Sequence, residues 1–349
     1  MTAPPIHPQD FSLAWLTQAL KAEPGGLRGF AFTPIGTGQM CQSFRLSLDW
    51  ADPAAGPPAI VAKCPSADPQ TRATAQAMRN YTLELNWYRE LAASIPVACP
   101  QCLHLDSAED DTLFVLLLQD LSPARQGDQL AGAPPSAIAA ALDQAAALHA
   151  ARWGDKSLPL TPWLAESPAA RAFLLAAMPS FYAGFRERYA TRLAPEILEL
   201  GDALIVRMER YFSFTPQAVT LQHRDFRIDN LLFAPDGGVF VLDWQTIGLG
   251  AGALDVAYLI GTSVADPAER AVCERGWVEA YSAALSARGA AHDPDALWRE
   301  YRLYALSGFV MAIIAAMNVV RTKRGDEMFA VMAERPARQA LTLDSLSLL

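Results

Sequence analysis

The residues best suited to chemistry cluster in two stretches, Leu221-Gln-His-Arg-Asp-Phe-Arg-Ile-Asp-Asn-Leu-Leu-Phe233 and Val239-Phe-Val-Leu-Asp-Trp-Gln245. Together they read His-x-Asp-x-x-x-x-Asn, a short apolar strand, a turn at Pro235-Asp-Gly-Gly238, a second apolar strand and then an Asp. A carboxylate on such a loop, Asp225, can accept or orient the proton of an incoming hydroxyl. Asn230 and Asp243 offer hard oxygen ligands of the kind Mg²⁺ takes. The turn closes a hairpin that would bring the two ligands together. These are the parts needed for phosphoryl transfer. A hairpin with decorative polar residues would account for each piece alone, but the ordered set is specific.

Such a site needs elements that hold a nucleotide, and upstream segments supply candidates in a workable order. Ile35-Gly-Thr-Gly-Gln-Met-Cys-Gln-Ser-Phe-Arg-Leu46 has the form strand, glycine-rich turn, strand. Gly36 and Gly38 would let backbone N–H groups approach phosphate oxygens closely, although Gly-x-Gly is also a common hairpin turn. Ala59-Ile-Val-Ala-Lys-Cys64 is an apolar run containing one Lys. If that strand is buried, Lys63 needs a partner, and nucleotide phosphates would serve; an edge strand would let it reach water instead. Met78, Tyr81, Leu85, Tyr88 and Leu91 recur at helical steps, so the pattern predicts one helix over Gln70–Ala93. Glu84 adjoins that apolar stripe and is preferred to Glu90 as an ion-pair partner for Lys63. Thr112–Leu118 reads as a buried strand. Gln119-Asp-Leu-Ser122 leaves it as a polar connector, placed where a hinge between two lobes would offer backbone groups to adenine.

With these pieces in view, the chain resembles the aminoglycoside phosphotransferase-like kinases, most closely their bacterial branch related to ecdysteroid and choline kinases. The matching segments are Gly36-Thr-Gly-Gln-Met40, Val61-Ala-Lys63, Glu84 with Trp87-Tyr88, and Leu116-Leu-Leu-Gln-Asp-Leu121. They continue with Leu148-His-Ala150, Arg152-Trp153, His223 to Asn230, Asp243-Trp-Gln245 and Asp255-Val-Ala-Tyr258. The resemblance spans nearly the whole chain. It implies an α+β, two-lobed protein-kinase-like fold. The N-lobe, residues 1–118, would be an antiparallel sheet plus helix that binds ATP; the C-lobe, residues 119–349, would be mainly helical and carry the catalytic loop and the acceptor site. It implies Asp225 as base, Asn230 and Asp243 as Mg²⁺ ligands, Lys63 as phosphate ligand with Glu84 as its partner, and Asp255 as a structural acid near the catalytic loop. One departure stands out: the family usually has Gly between the His and the catalytic Asp, and this chain has Arg224. Protein kinases also carry Arg there, but Asp243 is followed by Trp-Gln, not Phe-Gly, and no Ala-Pro-Glu or long activation segment follows.

Composition narrows the partners. A net charge of −9 argues against nucleic acid or an anionic membrane. Five cysteines, an odd number, and an N-terminus without an apolar core suggest reduced thiols and a cytoplasmic location. Cys99-Pro-Gln-Cys102 has no second Cys pair or suitably spaced His, so a strand start at Cys102 is the better reading. Leu303–Val320 is nearly all apolar but flanked by arginines, and reads as a helix buried in the larger lobe. His149, on the apolar face of the helix expected over Ser136–Trp153, reads as a core histidine. The block Pro168–Phe214 is rich in aromatics and Met, which inclines the acceptor toward a hydrophobic or amphipathic alcohol. An aminoglycoside acceptor, or a catalytically inactive nucleotide-binding scaffold, stays open as an alternative, and the sequence does not give the oligomeric state.

Overall fold

The computed structural model describes residues 4–36, 40–318 and 321–349. The chain divides into two compact units: 1–94 with 98–124 and 242–246, and 95–97 with 125–241 and 247–349.

The first unit opens with helix α1 (Leu13–Ala19), capped by the Ser12 hydroxyl. Strands β1 (Leu27–Ile35), β2 (Cys41–Trp50) and β3 (Ala59–Pro65) follow. Next come α2 (Pro69–Ala77) and α3 (Asn80–Asn86), then β4 (Cys102–Ser107) and β5 (Phe114–Gln119). The five strands form one antiparallel sheet in the order β1-β2-β3-β5-β4. Alternation decides its two faces. Ile60, Ala62 and Cys64 of β3 join Phe44, Leu46, Val115, Leu117 and Leu16 of α1 in the core. Lys63 alternates to the opposite face. Cys102 does begin a strand, and all five cysteines are free thiols.

The single helix expected over 70–93 is in fact three pieces. α2 ends at Ala77 with Met78 as its cap, Arg79 adopts a left-handed φ of 61°, and α3 passes into a π-helical turn at Trp87–Leu91. The break leaves Met78 exposed, off the inward stripe. The extra residue of the π-turn re-aims the end of the helix, and Trp87 stacks on Trp244 with ring centroids 3.6 Å apart.

The second unit begins with β6 (Arg125–Gln126) and α4 (Pro135–Ala150). It continues through α5 (Pro168–Tyr189), α6 (Pro195–Ile205) and α7 (Met208–Ser213) to β7 (Thr220–Gln222), β8 (Leu231–Phe233), β9 (Val239–Val241) and β10 (Gly248–Gly250). The helices α8 (Gly252–Ser263), α9 (Pro267–Ala287), α10 (Pro294–Tyr304), α11 (Ser307–Asn318) and α12 (Lys323–Thr342) complete it. Two small antiparallel sheets, β6-β8-β9 and β10-β7, are set among these helices. The apolar run from Leu303 is not one helix: α10 ends at Tyr304 and α11 starts at Ser307, and Val319 and Val320 lie outside the described residues. Pro294–Asn318 is long and apolar enough to cross a membrane, but 72% of its most apolar window is buried in the protein, against α12, α8 and α5. Those contacts are the ones a core helix makes.

Glu300 of α10 is 3% exposed, accepts the Gln217 backbone N–H at 2.5 Å, and has a second oxygen buried without a hydrogen-bond partner among the described residues. Burial pushes its carboxyl up to about 7, with the Gln217 hydrogen bond opposing. A carboxyl raised on folding contributes stability that is fully present below its unfolded value and is lost as the pH rises toward 7. The loss integrates to about 3 kcal/mol. Glu300→Gln should therefore flatten the pH dependence of the melting temperature between pH 5 and pH 8 and be the more stable protein at pH 8. Parallel wild-type and variant curves would contradict this account.

Candidate active site

Lys63 leaves β3 on the face opposite the core and ends between two carboxylates, Glu84 of α3 at 2.7 Å and Asp243 at 2.9 Å. Its side chain is 12% exposed, that of Glu84 2% and that of Asp243 40%. Burial opposes the ammonium charge, but the Asp243 and Glu84 carboxylates more than offset it and hold Lys63 above the ordinary lysine value. Glu90 lies on the π-turn and is exposed. Asp243 takes a left-handed φ of 64°, an uncommon conformation for a non-glycine residue. It is followed by the Trp244 stack on Trp87 and by Gln245, whose carbonyl accepts from Asn80 Nδ2 at 3.1 Å. These contacts tie 242–246 into the first unit.

In the same unit a cavity of about 820 Å³ is lined by Thr33, Arg45, Ser47, Ala59, Gln119 and Asp120, among others. Gln119 ends β5, and its backbone N–H is bonded to the Gln101 carbonyl at 2.9 Å. Gly36, directly after β1, has a left-handed φ of 73° that glycine adopts without strain. Gly38 lies outside the described residues.

The catalytic-loop candidates belong to the second unit. Asp225 Oδ1 accepts from Arg227 Nε at 3.0 Å and from the Tyr258 hydroxyl at 3.1 Å; Oδ2 accepts from Asn230 Nδ2 at 2.7 Å. An ionised carboxylate only accepts, so the Asn230 amide must turn its nitrogen to Asp225. Its oxygen is then turned away from Asp225. Arg227 also reaches Asp229 and Gln129, both at 2.7 Å, and its side chain is mostly buried. Burial works against its charge, and Asp225 and Tyr258 raise its pKa above the ordinary arginine value.

The loop is hung on α8. Asp255, fully buried, accepts the backbone N–H groups of His223 at 2.6 Å and Arg224 at 2.9 Å. His149 supports it from behind at 3.2 Å and contacts the Tyr281 hydroxyl at 2.7 Å. His149 is thus a buried structural residue. His223 Nδ1 accepts the Asp225 N–H at 3.3 Å and shapes the loop.

Arg224 has a φ of 66°, a conformation that favours glycine and accounts for the glycine usual at this place in the resembling family. The side chain offsets the strain through Leu249 O at 2.6 Å, Gln222 Oε1 at 3.3 Å and an ion pair with Glu166. Glu166 immediately precedes Ser167, the N-cap of α5, so this pair ties the start of α5 to the catalytic loop.

Two contributors were not singled out from sequence: Asp229, which bridges Arg227 and the Gln129 backbone N–H at 2.7 Å, and Tyr258. Tyr258 lies three residues after Asp255 on α8, a spacing that puts both polar groups on one face of a buried helix. That was the available signal.

Asp243 and Asn230, each taken by itself, are of the donor type that Mg²⁺ takes. Among the described residues no three His, Cys, Asp or Glu side chains group as a metal cage. Mg²⁺ characteristically takes one or two carboxylates, with substrate phosphates and water completing the shell. Asp243 in the first unit and Asn230 in the second each offer an oxygen donor of that kind.

The family model described as the phosphotransferase enzyme family matches residues 51–304. No curated protein matches the sequence. Among solved structures, the chain is similar to a protein of Ralstonia eutropha provisionally described as an aminoglycoside phosphotransferase (TM-score 0.57, 17% identity, 96% of each chain covered). It is also similar to an ethanolamine kinase of Plasmodium vivax (TM-score 0.53, 13% identity, 91% of this chain and 83% of that one). A third likeness is to APH(2")-IIa in complex with gentamicin (TM-score 0.51, 16% identity, 93% of this chain and 96% of that one). At these identities the likeness shows the fold, which is the protein-kinase-like α+β fold.

Proposed function

The chain belongs to the phosphotransferase enzyme family, and on that premise we propose that it transfers the γ-phosphoryl group of ATP, with Mg²⁺, to a hydroxyl of a small hydrophobic or amphipathic alcohol. The observation that carries this reading is Lys63, a charged ammonium on a mostly buried strand, fixed by Glu84 and Asp243. Its position is suited to phosphate oxygens. Gly36 and Gly38 would approach the same phosphates, and the cavity beside Gln119 has the size and mixed lining a nucleobase needs. Asn230 and Asp243 would hold the Mg²⁺, which when bound neutralises charge developing on the phosphates.

Asp225 accepts or orients the acceptor proton. Most of the acceleration comes from positioning and fixed charge, since the transition state is loose and asks little of a base. The acceptor class rests on α5. Its first eighteen residues, Pro168–Phe185, contain no Asp or Glu, and Phe173 is 69% exposed. Arg224–Glu166 fixes the start of this helix beside the catalytic loop. Such a face suits a hydrocarbon, worth about 25 cal/mol per Å² removed from water. It suits an aminoglycoside poorly, because each desolvated ammonium needs a carboxylate. An inactive scaffold is disfavoured because Lys63, Asp225, Asn230 and Asp243 are all present.

The direct test is thermal unfolding with Mg²⁺-ATP or a slowly hydrolysed analogue. Wild type should melt at a higher temperature with nucleotide, since a ligand bound only to the native state stabilises it. Lys63→Ala should show a smaller shift. No shift with any purine nucleotide at up to several millimolar, roughly, would count against the reading.

A further inference from the structure

Asp225 is held unevenly. Its Oδ1 accepts two hydrogen bonds, from Arg227 Nε at 3.0 Å and the Tyr258 hydroxyl at 3.1 Å, while Oδ2 accepts one, from Asn230 Nδ2 at 2.7 Å. A carboxylate oxygen presents two lone pairs. Oδ1 is therefore saturated, and Oδ2 retains one lone pair. Both donors to Oδ1 are themselves fixed. Tyr258 is 1% exposed on α8, the helix whose Asp255 also anchors the loop backbone. Burial and the Asp225 charge raise its hydroxyl well above the ordinary tyrosine value, so it stays protonated and can only donate to the carboxylate. Arg227 is held by Asp229 and Gln129.

We infer that Tyr258 is a positioning residue which, with Arg227, pins Asp225 Oδ1 and so assigns Oδ2 as the oxygen that meets the acceptor hydroxyl. This rests on the reading of Asp225 as the base. Nothing in the sequence motif marks Tyr258 for that task. It arises because Asp255 and Tyr258 occupy one face of α8, the first fixing where the loop runs and the second fixing how its carboxylate is turned.

The experiment compares Tyr258→Phe with wild type in Mg²⁺-ATP turnover, using water as the acceptor and following release of labelled γ-phosphate. The substitution removes one oxygen and keeps the ring. Turnover should fall about 10-fold to 10²-fold, the scale of a displaced catalytic group. The KM for Mg²⁺-ATP and the nucleotide-induced melting shift should stay at wild-type values. In an Asp225→Asn background the same change should cost nothing further, because there is no longer a base to aim. A merely structural tyrosine would instead raise KM, lower the melting shift, or cost the same factor in both backgrounds. Arg227→Lys, which keeps the charge and loses the Nε contact to Oδ1, should reproduce the turnover-only defect, and it stands in if Tyr258→Phe does not fold. Wild-type turnover in either variant, or equal losses with and without Asp225, would overturn the inference while leaving the phosphotransferase reading intact. Wild-type turnover that is independent of Asp225 would overturn both.

Discussion

Asp225→Asn should lower phosphoryl transfer by about 10²–10⁴-fold while leaving the fold and nucleotide binding intact. The replacement keeps shape and removes the carboxylate whose Oδ2 keeps a lone pair beside the Asn230 amide. Folding should survive because the loop backbone is held by Asp255, through the His223 and Arg224 N–H groups, and not by the Asp225 side chain. Arg227 keeps Asp229 as a charge partner at 2.7 Å. Transfer to a substrate identified by screening, or slow ATP hydrolysis in its place, gives the rate; circular dichroism and the Mg²⁺-ATP melting shift give the controls. Near-wild-type turnover would show that the base has been misassigned.

Lys63→Met should act on stability as well as on nucleotide binding. Glu84, only 2% exposed, would lose its cation and face burial unpaired. Breaking a buried pair by removing one partner costs about 3–5 kcal/mol, well above the value of the intact pair relative to an apolar replacement. The nucleotide-induced melting shift should vanish with it. Lys63→Met combined with Glu84→Gln should recover much of the stability but none of the nucleotide response, and chemical denaturation with and without Mg²⁺-ATP reads both effects. If the single variant were as stable as wild type, the ion pair would not be the buried partnership the geometry describes.

The candidate site was legible in the sequence because its parts are set by spacing. His223, Asp225, Asn230 and Asp243 stand at intervals set by one loop and one hairpin, and β8 and β9 form where the two apolar runs flank Pro235-Asp-Gly-Gly238. Glu84 was legible as an inward residue because it lies beside an apolar helical stripe. What escaped depends on tertiary contacts or on backbone conformations that no residue type announces. The break between α2 and α3 falls at Arg79, whose left-handed φ carries no Gly or Asn signal. The return of 242–246 to the first unit depends on the Trp87–Trp244 stack, between residues far apart in sequence. The pairing of Arg227 with Gln129 escaped because the two are far apart in sequence and meet only once the loop is assembled. Arg224 departed from the glycine expected there, and only the structure shows the positive φ and the contacts that tolerate it.

The most direct test of the central claim is to follow the label of γ-³²P-ATP with Mg²⁺ against a panel of hydroxylated acceptors, in wild type and in Asp225→Asn. The panel should contain long-chain alcohols, sterols, hydroxyacyl compounds, ethanolamine-type amino alcohols and aminoglycosides, with water as the background acceptor. We predict transfer of the label to an apolar or amphipathic hydroxyl compound, abolished without Mg²⁺ and reduced at least about 10²-fold in Asp225→Asn. Efficient labelling of gentamicin-like compounds would move the acceptor to the aminoglycoside class. Label that reaches neither an acceptor nor water in any Asp225-dependent way would contradict the phosphotransferase account itself.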